Sequence, residues 1–377
     1  IEALNNLGNV FRDLGQLDQA IQLYKKAIRF KPDYPMTHHN LGVALKDFGK
    51  LEEAIKSYKK AIMLHPNDFE SLGHLGETQR LLGNFHEAIE SYKKALLINP
   101  KDSNILNNLG VAYRDIGQLD DAIISYQKSV DINPNDYDAY NNLGIIFSDL
   151  GLLDDGINSY ECAIKINPNF AAGFNNMAIL LTKLNRWEEA QQFNQKALII
   201  KPEFAEGLSL QGQIFTEMNR LNDALISFQK AVEVNSDLPY ALGKVLFAKM
   251  NICDWSGLAV KLEELSIRIQ NNDKVIVPFE LLCLIDDPDL QGKTSVIYSN
   301  DQFPKNNVLP KIGLYSKHDK IRVGYFSADF RIHPVATLTA ELYEIHNRDL
   351  FEIHAFSFGP DTNDEMNLRI KDGVDYY

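Results

Sequence analysis

The residue best placed to do chemistry is His333, in the stretch "KIRVGYFSADFRIHPVATL" from Lys320 to Leu338. It stands where a run of strand formers (Ile321 to Ser327) gives way to Leu338, Leu342 and Ile345 at helical spacing. Pro334 follows it, and proline favours the first turn of a helix. His333 therefore sits at a helix start, where free backbone N–H groups favour anions such as phosphate. A neutral imidazole there can act as a base or hydrogen-bond a substrate. The other reading is a loop histidine that satisfies backbone groups, and one histidine at one turn, taken alone, favours it. A second candidate is a row of asparagines, Asn6, Asn40, Asn108, Asn142 and Asn176. Each amide offers a donor and an acceptor, so the row can pair with an extended polypeptide backbone whatever its side chains. The same asparagines can instead bridge neighbouring structural units, and the pattern alone puts bridging slightly ahead. Asp13, Asp47, Asp115 and Asp149 recur two turns further on and read as a solvated face.

The elements that must position these residues follow from an internal period. Leu-Gly pairs begin at Leu7, Leu41, Leu75, Leu109 and Leu143, 34 residues apart, and the phase continues at Met177-Ala178 and Gln211-Gly212. The same step carries small residues from Ala20 to Ala224, with Gly156 among them. It also carries Tyr24, Tyr58, Tyr92, Tyr126, Tyr160 and Phe228, with Asn194 as the exception. Each unit reads as two antiparallel helices that approach closely at the small residues, with the aromatic ring beside them. Glycines from Gly15 to Gly151 end the first helix in five units, where positive φ is convenient. Pro32, Pro66, Pro100, Pro134, Pro168 and Pro202 stop the second helix, because proline lacks a donor and restricts the residue before it. Seven units stack into an all-α solenoid over residues 1–235. The pattern resembles the tetratricopeptide repeat, whose first helices line a concave groove that takes extended chains.

After Asn235 the repeat decays. Residues 236–319 read as a capping helix (Tyr240 to Asn251), an amphipathic helix with Leu258, Leu262, Leu265 and Ile269 on one stripe, and an irregular connector from Asp286 to Pro310. Residues 320–377 read as β-α-β-α, the opening of a doubly wound parallel sheet, with the first strand covered on both faces. Ligands of such sheets bind at the carboxyl ends of the strands, which is where His333 lies. No GxGxxG is present in that loop, which disfavours a dinucleotide. Fewer than sixty residues follow Lys320, too few to close the sheet, so the whole protein is expected to continue past Tyr377 and to begin before Ile1.

Composition narrows the classes further. The chain has 38 basic and 51 acidic residues, a net charge of −13, which argues against nucleic acid as the main partner. Nine histidines show no metal-ligand spacing, and Cys162, Cys253 and Cys283 read as the reduced thiols of a cytosolic protein. No apolar run has the length needed to cross a bilayer.

The array, followed by "CDW", "RVGYFSADFRIHPVA" and "FEIHAFSFGPD", resembles the protein O-linked N-acetylglucosamine transferases, and most closely their bacterial and SPINDLY-like members. The resemblance implies that residues 320–377 begin the Rossmann-like N-terminal lobe of a GT-B glycosyltransferase. It implies that the repeats deliver acceptor proteins, and that Asn6, Asn40, Asn108, Asn142 and Asn176 hold the acceptor backbone. His74 and Leu210 break that row. The histidine of the family's "HP" motif matches His333, in a base or substrate-positioning role. Asp329 and Arg331 are weaker candidates in the same loop, and the position of a second family histidine is Thr337. The donor is a nucleotide sugar, UDP-N-acetylglucosamine by resemblance. It binds mostly to a second lobe outside this sequence, so no cofactor or metal is expected on this chain and the fragment alone is expected to be inactive. The competing readings are a non-catalytic repeat scaffold and a different enzyme on the same sheet type.

Overall fold

The computed structural model describes residues 1–303, 319–359 and 361–377. The chain forms two compact units, Ile1–Pro304 and Lys305–Tyr377.

The first unit opens with seven helical hairpins. Their first helices are α1 (Glu2–Asp13), α3 (Pro35–Asp47), α5 (Phe69–Leu81), α7 (Ser103–Asp115), α9 (Tyr137–Asp149), α11 (Ala171–Lys183) and α13 (Ala205–Glu217). Their second helices are α2 (Leu17–Phe30), α4 (Leu51–Leu64), α6 (Phe85–Ile98), α8 (Leu119–Ile132), α10 (Leu153–Ile166), α12 (Trp187–Ile200) and α14 (Leu221–Val234). The repeat positions explain the packing. Tyr24, Tyr58, Tyr92 and Tyr126 are fully buried, each ring lying against the glycine at the eighth position of its own unit. A Cβ built on Gly110 would stand 2.6 Å from the Tyr126 ring, closer than carbon atoms approach without strain. The sixth unit carries Ala178 at that position, and there the ring is replaced by buried Asn194. The two departures from the period are therefore one event: without the ring, a methyl group fits. The turn inside each hairpin has a left-handed residue, Gly117 at φ +76 being typical, and Asn185 (φ 56) and Asn219 (φ 57) take that role in the last two units. Asparagine tolerates this region better than most residues.

After the array come α15 (Ala241–Asn251), α16 (Leu258–Gln270), α17 (Pro278–Leu282) and α18 (Pro288–Gln302). Leu246, Leu265, Ile269 and Leu281 form their shared core. Arg268 ties this group to the array's end through Asp237 at 3.0 Å and the Ser236 carbonyl at 2.9 Å. The connector expected to be irregular from Asp286 is helical over Pro288–Gln302. The Asp287-Pro288 pair is a helix start, with the Asp287 carboxylate accepting from the Asp289 and Leu290 amides, as an N-cap residue does. Residues 304–310 of that connector lie outside the described residues.

In the second unit β1 (Ile321–Ser327) and β2 (Phe351–Ser357) pair in parallel, with Ile321 opposite Phe351. Helices α19 (Pro334–Ile345) and α20 (Glu365–Asp372) follow the strands in turn. His354 also bridges Tyr376 in parallel. Phe330, Ala336, Ala340, Tyr343, Ala355 and Ile370 make the core, with Tyr325 packed against it.

One expectation fails here. Strand β1 is not covered on both faces. Both helices gather on the face of Tyr325 and Ala355, and on the other face Phe326 is 69% exposed, its ring 4.6 Å from that of Phe356. Helix α19 turns its small residues to the sheet rather than its large apolar ones. Leu338, Leu342 and Ile345 are exposed, while Ala336, Ala340 and Tyr343 face inward, because the small alanines let the helix lie close to the sheet.

Candidate functional site

In the array, the sixth position of each unit faces the fifth position of the unit before it. Asn40 donates to the Asn5 carbonyl oxygen at 3.0 Å, Asn142 to Asn107 at 3.0 Å, and Asn176 to Asn141 at 2.9 Å. The bridging reading therefore holds for these three amide nitrogens. Each such asparagine keeps its own side-chain carbonyl, although that of Asn142 receives Arg114 at 3.5 Å. Asn6 and Asn108 make no side-chain hydrogen bond among the described residues, for a plain reason. The fifth-position counterpart of Asn108 is Gly73, and that of Asn6 would lie before Ile1. At the far end Leu210 cannot donate, and the buried Asn175 carbonyl oxygen is left without a partner among the described residues.

The second rung of this ladder is an imidazole pair. His39 and His74 occupy the two positions, their rings 5.3 Å apart and edge to face, with Tyr58 stacked on His74. Ser71 donates to Asp68 at 2.5 Å and so must accept from the Nδ1–H of His39 at 2.7 Å. That chain fixes the tautomer and leaves His39 Nε2 as an acceptor. Burial, then the facing His74, lowers the His39 pKa below the ordinary histidine value. Glu77 lies beside His74 at 3.5 Å and accepts from Lys46 at 2.8 Å. His74, opposed by burial and helped by Lys46, brings the Glu77 carboxyl down to about 2. Not all of the aspartate row is solvated. Asp115 pairs with Arg80 of the preceding unit at 3.2 Å, and its side chain is only 22% exposed.

In the second unit the loop between β1 and α19 is held at both ends. Phe330 is buried in the core, and its carbonyl accepts from Asn367 of α20 at 2.6 Å. Asp364 caps α20 by accepting from the Asn367 amide at 2.9 Å, and also accepts from the Ile332 amide at 3.0 Å. The Thr362 hydroxyl, followed by those backbone donors, holds Asp364 below the usual carboxylate range. His333 caps α19, its Nδ1 accepting from the Val335 amide at 3.2 Å. A ring nitrogen that accepts carries no proton, so neutral His333 bears its proton on Nε2. Asp329 brings its carboxylate within 3.8 Å of His333 Nδ1 and 3.5 Å of Arg331. The loop thus brings His333, Asp329 and Arg331 together. Sequence reasoning missed Asp364 and Asn367 as its supports. The "ND" before Glu365 is a cap signal, but its reach back to Ile332 is tertiary. Among the described residues no group of three or more His, Cys, Asp or Glu is placed to hold a metal ion. No helix among them is long and apolar enough to cross a membrane.

Comparison with known families matches these two parts separately. Residues 8–49, 76–115 and 111–151 match the TPR repeat. Residues 35–68, 137–170 and 171–201 match the tetratricopeptide repeat. Residues 302–377 match glycosyl transferase family 41. The chain carries tetratricopeptide repeats followed by a segment that matches glycosyl transferase family 41. A probable UDP-N-acetylglucosamine–peptide N-acetylglucosaminyltransferase, SEC of Arabidopsis thaliana, is 26% identical over 141 residues, 33% of this chain. The match spans only 14% of that relative's length. Among solved structures, the APC/C hetero-tetramer Cut9-Hcn1 aligns at TM-score 0.55 with 15% identity, over 64% of this chain and 48% of that one. A tetratricopeptide repeat protein from Parabacteroides merdae aligns at 0.53 with 24% identity, over 62% of this chain and 93% of its own. At such identities these two structures speak for the fold of this repeat protein alone.

Proposed function

We propose that this chain is the acceptor-recruiting part of a protein O-glycosyltransferase. The observation that carries the reading is the family 41 segment that follows the repeat array in the same chain, with His333 at the head of α19. In the reaction, a Ser or Thr hydroxyl of an acceptor polypeptide attacks the anomeric carbon of a nucleotide sugar. The new carbon–oxygen bond forms as the bond to the diphosphate oxygen breaks, the nucleoside diphosphate leaves with the electron pair, and the hydroxyl proton passes to it or to solvent. N-acetylglucosamine is the sugar that the relationship to SEC favours.

His333 serves this step as a hydrogen-bond donor. Its Nδ1 is engaged by the Val335 amide, so Nε2–H is the face left for a substrate oxygen. Asp329 and Arg331 shape the same loop. The acceptor polypeptide lies along the array, where Asn6, Asn40, Asn108, Asn142 and Asn176 offer amide groups to its backbone. The amide nitrogens of Asn40, Asn142 and Asn176 are already used between units, so those three contribute carbonyl oxygens, and Asn108, opposite Gly73, contributes both groups. Cytoplasmic placement, with reduced thiols, fits this reading.

The test is sugar transfer by the complete protein from UDP-N-acetylglucosamine to a protein acceptor. His333→Ala lowers kcat by about a hundredfold, as expected for a positioned hydrogen-bonding group at the reacting centre. Unchanged turnover returns His333 to a helix cap, and no transfer by the complete natural protein favours the scaffold reading.

A further inference from the structure

The array ends in a cavity of about 360 Å³, closed by α15 and α17. Its floor continues the first-helix row of the sixth and seventh units, through Thr182, Gln213 and Thr216. Three aromatic side chains, Trp187, Phe228 and Phe247, line it together with Lys244 and Glu280. Lys244 reaches Ser209 at 3.3 Å and lies 6.0 Å above the Phe228 ring. Glu280 has one carboxyl oxygen buried with no hydrogen-bond partner among the described residues. The two opposite charges share the cavity, yet no ion pair joins them among the described residues.

Buried polar groups without partners are costly, so the cavity is a site whose donors and acceptor await a guest. The chemistry of the guest follows from having both charges present. An anion that satisfies Lys244 meets the Glu280 carboxyl, and a cation that satisfies Glu280 meets the Lys244 ammonium. A neutral planar group with an oxygen acceptor and an N–H donor side by side satisfies both at once, and the aromatic walls cover its faces. Burial, against the pull of Lys244, raises the Glu280 pKa to about 7. Burial likewise lowers Lys244. Both shifts agree with a site that disfavours net charge.

We propose that this cavity is a carboxamide pocket, taking an Asn or Gln side chain of the polypeptide that lies along the array. The polypeptide rests on the function proposed above; the carboxamide preference rests on the cavity alone. The pocket would make acceptor choice depend on one residue at a fixed distance along the bound chain.

The test uses Trp187 as reporter. The sequence holds two tryptophans, Trp187 and Trp255, and Trp255→Phe leaves Trp187 alone. Blocked glutamine (N-acetyl, N-methylamide), blocked glutamate and blocked lysine are titrated while its emission is followed. The expected result is saturable binding of blocked glutamine, at least tenfold tighter than either charged analogue. Lys244→Met and Ala248→Leu, which fills the cavity, each weaken it tenfold or more, while Glu280→Gln retains it because an amide oxygen still accepts. No saturable response to blocked glutamine, or equal or tighter binding of a charged analogue, overturns the pocket whatever becomes of sugar transfer. Blocked glutamine that binds while a glutamine-bearing acceptor polypeptide binds no tighter than it does overturns the groove reading and leaves the carboxamide preference standing.

Discussion

Gly110→Ala tests whether the repeat's small residues are there for packing. The added methyl would stand 2.6, 2.7 and 2.9 Å from three atoms of the Tyr126 ring, where ordinary contacts lie near 3.5–4.0 Å. The ring must therefore retreat by roughly 1 Å, since contact distances are about that much longer. It is fully buried, with Ala112, Ala122 and Leu143 in the same cluster. Overpacking of this kind costs about 1–3 kcal/mol. The gain in helix propensity from Gly to Ala offsets about 1 kcal/mol of it. A net loss of up to about 2 kcal/mol remains. Urea unfolding followed by circular dichroism reads it as a lower midpoint at unchanged slope. In a Tyr126→Leu background the same change loses its clash and stabilises by about 1 kcal/mol, a coupling of about 1–3 kcal/mol between neighbours. Ala178→Gly in the sixth unit, where Asn194 replaces the ring, loses about 1 kcal/mol of propensity with nothing regained. If Gly110→Ala stabilises the protein while Tyr126 is present, the argument from close approach is refuted.

Three further outcomes follow from the ladder, the cavity and the loop. Asn107→Ala removes the acceptor of the Asn142 amide and lowers stability by about 1 kcal/mol, whereas Asn108→Ala stays within about 0.5 kcal/mol; equal losses in urea melts contradict the rung assignment. Glu280 has a folded pKa of about 7 against an ordinary 4.5, so the folded state holds its proton longer and stability falls as pH rises from about 4.5 to 7, by on the order of 1–2 kcal/mol after allowance for partial exposure. Glu280→Gln abolishes that decline in thermal melts, and a slope that persists in the variant refutes the assignment. Asp364→Ala releases the Ile332 and Asn367 amides, and hydrogen exchange at both quickens about tenfold or more as the loop opens locally; unchanged protection shows that Phe330 alone holds the loop.

Most of the architecture was legible because the repeat encodes its own packing. Glycine, alanine, aromatic and proline each act within one hairpin or on the next, so a period in sequence is a period in contacts. The second unit was legible at its element ends for a related reason: strand formers, Pro334 and Asp364 mark boundaries by local physics. What stayed hidden is tertiary. The face that α19 buries depends on how closely a helix may approach a sheet, and Ala336 and Ala340 outweigh Leu338 there. The partners of Asn40, Asn142 and Asn176 lie at a position whose asparagines carry no signal until the units are stacked. Lys244 and Glu280 are 36 residues apart in sequence, and only the fold of α15 and α17 brings them into one cavity. Asp287-Pro288 was ambiguous, since the same pair opens a loop or a helix, and packing of Leu290 and Thr294 decided for the helix.

The central claim is that the array holds the polypeptide on which the glycosyltransferase segment acts. Asn108 tests it without disturbing the fold, because its counterpart in the preceding unit is Gly73 and it bridges no repeat units among the described residues. The measurement is the initial rate of sugar transfer by the complete protein to a long unstructured acceptor and to a short peptide, for the natural protein and for Asn108→Ala. The account predicts an unchanged melting temperature, a KM for the long acceptor raised about tenfold, as loss of roughly two backbone hydrogen bonds implies, and an unchanged KM for the short peptide. Equal KM values for the long acceptor in both proteins would contradict it.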